Sequence, residues 1–267
     1  MRFKGLSELK RPELYEIELA TLPQDILMAQ FAMAKAFKIN ELVCTIHKGS
    51  YEWYGYTIAN RDNPELIVDI GLPRNEQNID QYASVAPEWI AEYQESLPFN
   101  MVINGWIHSH GSIEYKGFSR TDEKNQVTVL DYVTALLRKP VVKKEVVIKD
   151  LTLLVKDQWT EKDLEKGSVS LITDAPIAEA RIMETIYGGF CYSIVIGDEG
   201  WHKQEIYYKK RGILTGQTTE SKKEAEIILV STGRSLTQSD IEALRDEVRE
   251  KIKPMIVEPE RFEKECT

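Results

Sequence analysis

Apolar residues in this chain switch repeatedly between helical spacing and short continuous runs, and the switch points mark the elements. Ile26, Leu27, Ala29, Phe31, Ala32 and Ala34 recur at helical spacing with Pro23 placed for a first turn, so residues 23–38 are expected to form a helix. Two β-branched and aromatic runs, Glu41–Ile46 and Tyr51–Ile58, flank the turn signal His47-Lys-Gly-Ser50 and read as strands. A third strand starts at Leu66, runs to Ile70 and ends before Pro73, and residues 78–96 read as a helical segment interrupted by Pro87. Met101–Ile107 is mostly apolar, is bounded by Pro98, and predicts a strand that ends near His108. Val127, Leu130, Val133, Leu136 and Leu137 then return to helical spacing over 120–138, with Ser119 ahead of them.

Beyond that helix, Val141–Ile148 and Leu151–Val155 read as strands, Glu161–Lys166 as a charged stretch, and Pro176–Tyr187 as a helix. Gly188-Gly189 reads as a turn before a strand over Phe190–Ile196. The hairpin signal Gly197-Asp-Glu-Gly200 joins that strand to a return strand over Trp201–Lys210. Residues 212–224, rich in Gly, Thr, Ser and Lys, read as a linker to a strand at 226–230 and a helix at 237–251. The expected class is α/β (α+β), a mixed sheet with flanking helices. It divides into a main domain over 1–211 and a C-terminal module over 212–267 that packs back on the core, mediates self-association or holds a partner.

Composition narrows the setting. A chain of 267 residues with 42% hydrophobic content is long enough to bury a sizeable core. Its net charge of -9 argues against nucleic-acid and anionic-membrane surfaces, which favour clustered positive charge. Cys44, Cys191 and Cys266 are widely separated, so neither a disulfide framework nor a Cys-based zinc site is expected. No apolar run reaches ~18 residues and the first ten residues lack a signal-peptide core, so a cytoplasmic protein is expected.

The chemistry concentrates between His108 and Asp122. Of the four histidines, His108 and His110 fall two apart at the end of a predicted strand, so their side chains share one face and Ser109 points to the other. Asp122 falls in the first turn of the following helix. Two neutral imidazoles and one carboxylate are three ligands for zinc, leaving a coordination position for water whose pKa the ion brings to about 7. Such a site needs a carboxylate base; Glu52, in the run Tyr51–Ile58, is the first candidate and Glu41 the reserve. Ser119-Arg-Thr-Asp122 also has the form of a capping box, compatible with a ligand on a capped first turn. Glu114, in the intervening loop, reads as a solvated loop carboxylate, and His47 and His202 sit in turn-like contexts and read as surface residues.

His108-Ser-His110, Ser119 and Asp122, with Glu52 upstream in a Glu-x-x-Gly55 segment, resemble the JAMM motif of MPN or JAB-domain metalloproteases. Two differences are visible: eight residues separate His110 from Ser119 where the family has seven, and Gly111 stands where many members have proline. The resemblance implies an MPN/JAB-like sheet with helices and one zinc ion held by His108, His110 and Asp122. It assigns Glu52 as general acid/base and Ser119 as a hydroxyl supporting the oxyanion. It also implies hydrolysis of peptide or isopeptide bonds, with a ubiquitin-like protein or its conjugates as substrate, and marks 139–187 as an insertion beside the site. The alternatives are an inactive metal-binding MPN-type scaffold and a phage or bacterial processing protease acting on a structural protein.

Overall fold

The computed structural model describes residues 16–78, 85–110, 116–147, 151–167, 169–176 and 181–254. Its elements are β1 (Ile26–Ala29), α1 (Gln30–His47), β2 (Tyr54–Asn60), β3 (Asn63–Gly71), β4 (Asn75–Asn78), α2 (Pro87–Ser96), β5 (Met101–Ser109) and α3 (Arg120–Leu137). They continue through β6 (Lys139–Val146), β7 (Leu151–Val155), β8 (Val169–Thr173), β9 (Ile182–Ile196), β10 (His202–Gly212), β11 (Thr218–Glu224), β12 (Ile227–Val230), α4 (Gln238–Lys251) and β13 (Ile252–Pro254). The fold is the expected mixed α/β class. A nine-stranded sheet runs in the order β11-β10-β9-β5-β2-β3-β1-β12, with β6 added beside β9.

Helices cover both faces of this sheet, and strand alternation sorts the core between them. On β5, Ile107 joins the cluster formed with Ala36 and Ile39 of α1 and Leu244 and Val248 of α4. Its neighbour Trp106 joins the opposite cluster, with Ile90 of α2 and Val129, Leu130 and Val133 of α3. Burial on both faces explains why Met101–Ile107 reads as a nearly continuous apolar run. β5 lies between β2, antiparallel to it, and β9, parallel to it. At Gly105 a Cβ would stand 2.3 Å from the carbonyl of Tyr192, so the close approach of β9 there requires glycine.

Several expectations are corrected. The helix expected at 23–38 begins only at Gln30, because Ile26–Ala29 pair in parallel with β12, and Leu27 and Met28 also with β3. It then runs through Glu41–Ile46, expected as a strand: Ile39, Leu42 and Val43 continue the face begun by Ala36, and burial of that face overrides β propensity. Pro87 opens α2 rather than interrupting a helix, the position where its missing N–H costs nothing; residues 79–84 of that expected segment lie outside the described residues. On α3, Val127 and Leu136 are exposed, while Asn125 and Gln126 take buried positions because each has a polar partner.

Within the expected insertion, the two strands form, as β6 and β7, the latter pairing with β8 in a separate two-stranded ladder. The helix expected over 176–187 does not form where it is described: Ile182–Tyr187 are the first part of β9, paired with β6, and residues 177–180 lie outside the described set. Gly188-Gly189 is not a turn but continues the same strand, and at Gly189 a Cβ would meet Thr134 of α3 at 2.9 Å. Residues 212–224 are no linker either. β10 turns at 212–217 into β11, a strand whose every side chain is exposed and which carries no apolar alternation to announce it. The carboxylate of Glu184 fastens the turn by accepting from the backbone amides of Leu214 and Thr215, both at 3.1 Å.

The C-terminal helix packs back on the core. Thr237 and Asp240 form a capping box at its start, and Leu244, Val248 and Ile252 are buried in the α1 cluster. Leu244→Ala is therefore expected to destabilise the whole protein by about 2–5 kcal/mol in chemical denaturation, as for a core leucine. An unchanged unfolding midpoint would mean that α4 is independent of the core. No helix among the described residues is long and apolar enough to cross a membrane.

Candidate metal centre

Local structure brings the two histidines and the aspartate together. β5 alternation turns His108 to the face covered by α3, His110 follows one residue past the end of the strand, and the first turn of α3 delivers Asp122. Ser119 caps that helix: its hydroxyl accepts from the Asp122 amide at 3.2 Å, and the Asp122 carboxylate accepts from the Ser119 amide at 2.6 Å. The capping-box reading of Ser119 is thus shown, and its effect is to hold the Asp122 carboxylate in one orientation.

The Nε2 atoms of His108 and His110 lie 3.3 Å apart, His108 Nε2 lies 3.3 Å from Asp122 Oδ1, and His110 Nε2 lies 3.3 Å from Asp122 Oδ2. All three residues are buried, and together they could hold a metal ion. Burial favours the neutral imidazole of His108 and outweighs the attraction of the Asp122 carboxylate, so its pKa is lowered. At Asp122 burial works the other way and raises the pKa, but it is overcome by hydrogen bonds from His108 and His110, so the carboxyl stays ionised well below the usual range. Neutral imidazole beside ionised carboxylate is the protonation pattern that metal ligation requires. His108 Nδ1 is buried with no hydrogen-bond partner among the described residues.

Glu52 is part of the same electrostatic unit. It stands in the irregular segment just before β2, not within the strand expected over Tyr51–Ile58. Burial raises its pKa from 4.5 to about 7, the His110 charge opposes the rise, and the Asp122 carboxylate adds to it. Glu41, the reserve base, is exposed on α1 and paired with Lys38 at 2.5 Å. Gly111 and Glu114 lie outside the described residues. His47 ends α1 and His202 is exposed on β10, neither of them in the metal-ligand cluster.

Several supports were not visible in the sequence. The Trp106 ring stacks on His108 with centroids 4.5 Å apart and planes 18° from parallel. The Trp106 indole N–H is held by Gln126 of α3 and by Ser193 of β9, the latter at 3.1 Å. Trp201 approaches His110 edge-on at 6.2 Å. Ser109, turned to the opposite face as expected, binds the segment that carries Glu52: its amide donates to the Trp53 carbonyl at 2.9 Å, and its hydroxyl accepts from the Trp53 amide at 3.2 Å. Strand alternation gives the side on which Ser109 lies; its partner belongs to the tertiary fold. Neither a family model nor a curated protein matches the sequence.

Proposed function

We propose that this protein is a zinc-dependent hydrolase of peptide or isopeptide bonds, a JAMM/MPN-type metalloprotease acting on a ubiquitin-like protein or its conjugates. The observation that carries the reading is the set of three 3.3 Å separations among two imidazole nitrogens and one carboxylate. Donors around a tetrahedral zinc, with bonds of ~2.0–2.1 Å, stand ~3.3 Å from one another, a spacing the two imidazole nitrogens meet while the carboxylate turns one oxygen toward each of them, and three protein ligands are the number found in catalytic rather than structural zinc sites. A zinc ion held there supplies a Lewis acid and an attacking water made acidic enough to react at neutral pH.

The chain's own residues provide the remaining parts. With its pKa near 7, the Glu52 carboxyl can both accept a proton from the attacking water and return it to the leaving amine. Ser119 Oγ already accepts from the Asp122 amide, and its own proton has no acceptor among the described residues, which leaves it to donate toward a developing oxyanion. The substrate class rests on the resemblance of the His-Ser-His, Ser and Asp pattern to the family.

The test is elemental analysis of the purified protein together with mass spectrometry of a linear ubiquitin-like fusion and of a branched conjugate after incubation. One zinc per chain and chelator-sensitive cleavage of either substrate are expected. Zinc without cleavage of either would replace the hydrolase reading with the scaffold one, and a preparation that never takes up zinc would end both.

A further inference from the structure

The peptide carrying Glu52 has no strand ladder of its own. We infer that Asp198 is the positioning residue of this segment and, through it, of the Glu52 carboxyl; the catalytic half of this inference rests on the hydrolase reading above. Asp198 lies in the turn between β9 and β10, 148 residues from Ser50. Its Oδ2 accepts from the Ser50 hydroxyl at 2.5 Å, and its Oδ1 accepts from the Asn40 side-chain amide of α1 at 2.7 Å. Asn40 in turn accepts the indole N–H of Trp53 at 3.0 Å. Ser50 precedes Glu52 by two residues and Trp53 follows it by one, so a single carboxylate fixes the segment on both sides of Glu52.

The two ties to this segment divide the work. Ser109 joins it to the strand that carries His108 and His110. Asp198 joins it to α1 and to the β9–β10 turn, whose Trp201 faces His110. Asn40 and Trp53 are buried, so their hydrogen bonds are shielded from water, and loss of the acceptor would leave the Asn40 amide unsatisfied. None of the hydrogen bonds of Asp198 reaches a metal-ligand residue, which separates a positioning role from ligation. Because reacting groups tolerate little misplacement, a shift of about 1 Å in the base can cost up to ~10²-fold in rate.

The experiment uses the full chain, zinc-loaded, as Asp198→Ala and Asp198→Asn. For Asp198→Ala we expect unchanged zinc content and a kcat lowered about 10–100-fold with KM within about twofold. We also expect faster hydrogen exchange at the Trp53 amide but not in α3. Asp198→Asn should recover most of the rate, since an amide can still accept from Asn40 while donating to Ser50 Oγ. In a Glu52→Gln background, Asp198→Ala should cost nothing further. Unchanged exchange at Trp53 would overturn the positioning role, and an equal loss in the Glu52→Gln background would overturn its action through Glu52. If the parent protein hydrolyses no conjugate, the hydrolase reading falls while the exchange measurement still decides what Asp198 holds.

Discussion

Glu52→Gln is expected to keep one zinc per chain and to slow cleavage of a ubiquitin-like conjugate about 10²–10⁴-fold, the usual worth of a positioned proton carrier. Glutamine has nearly the same shape, so the Ser109 and Asp198 ties to the segment should survive and the metal ligands should not notice the change. The pH profile gives a second, independent readout. A base must be ionised, and burial sets the Glu52 carboxyl at about 7, so the parent rate should rise with pH and level off above its midpoint. A bound dication would pull that midpoint below 7, and the limb should vanish in Glu52→Gln. Stability moves oppositely. A carboxyl whose folded pKa lies above its unfolded 4.5 binds protons more tightly when folded, so the metal-free protein loses stability as pH rises from 4.5 through about 7. Metal-free Glu52→Gln should therefore unfold at an equal or higher temperature than the parent at pH 8. Cleavage by Glu52→Gln at the parent rate would remove Glu52 from the mechanism.

What could be read from the sequence depended on whether a residue's partners were local. The i, i+2 spacing of the histidines at the end of Met101–Ser109 sets both imidazoles to one side, and Ser119 with Asp122 announces a capped helix; both are properties of a few neighbouring residues. Glu41–Ile46 has the β-branched content of a strand, and only the core that buries Leu42 and Val43 makes it helix. β11 was missed because an exposed edge strand of Thr, Ser, Lys and Glu has no hydrophobic period, and only its ladder with β10 makes it a strand. The supports of the centre were the least legible: Trp106 meets Ser193 across 87 residues and Asn40 meets Asp198 across 158, and no local pattern encodes such pairs.

On the proposed reading Asp122 carries two jobs, cap and metal ligand, and separating them gives the other large effect. Asp122→Ala removes a metal ligand and also the acceptor of the Ser119 amide, so zinc uptake and cleavage should both fall to background. The metal-free protein should also lose stability, from the broken cap and from the lost pairing of the carboxylate with both imidazoles. Ser119→Ala should lose about 0.5–2 kcal/mol of cap stability while retaining zinc, with kcat lowered by up to ~10²–10³-fold if its hydroxyl supports the oxyanion. His110→Ala completes the set: it should abolish zinc uptake while sparing the cap. Denaturation of the three metal-free variants and zinc titration of each would check this. The ligand assignment is wrong if Asp122→Ala binds zinc as tightly as Ser119→Ala, because the cap would then be the whole of what that carboxylate does.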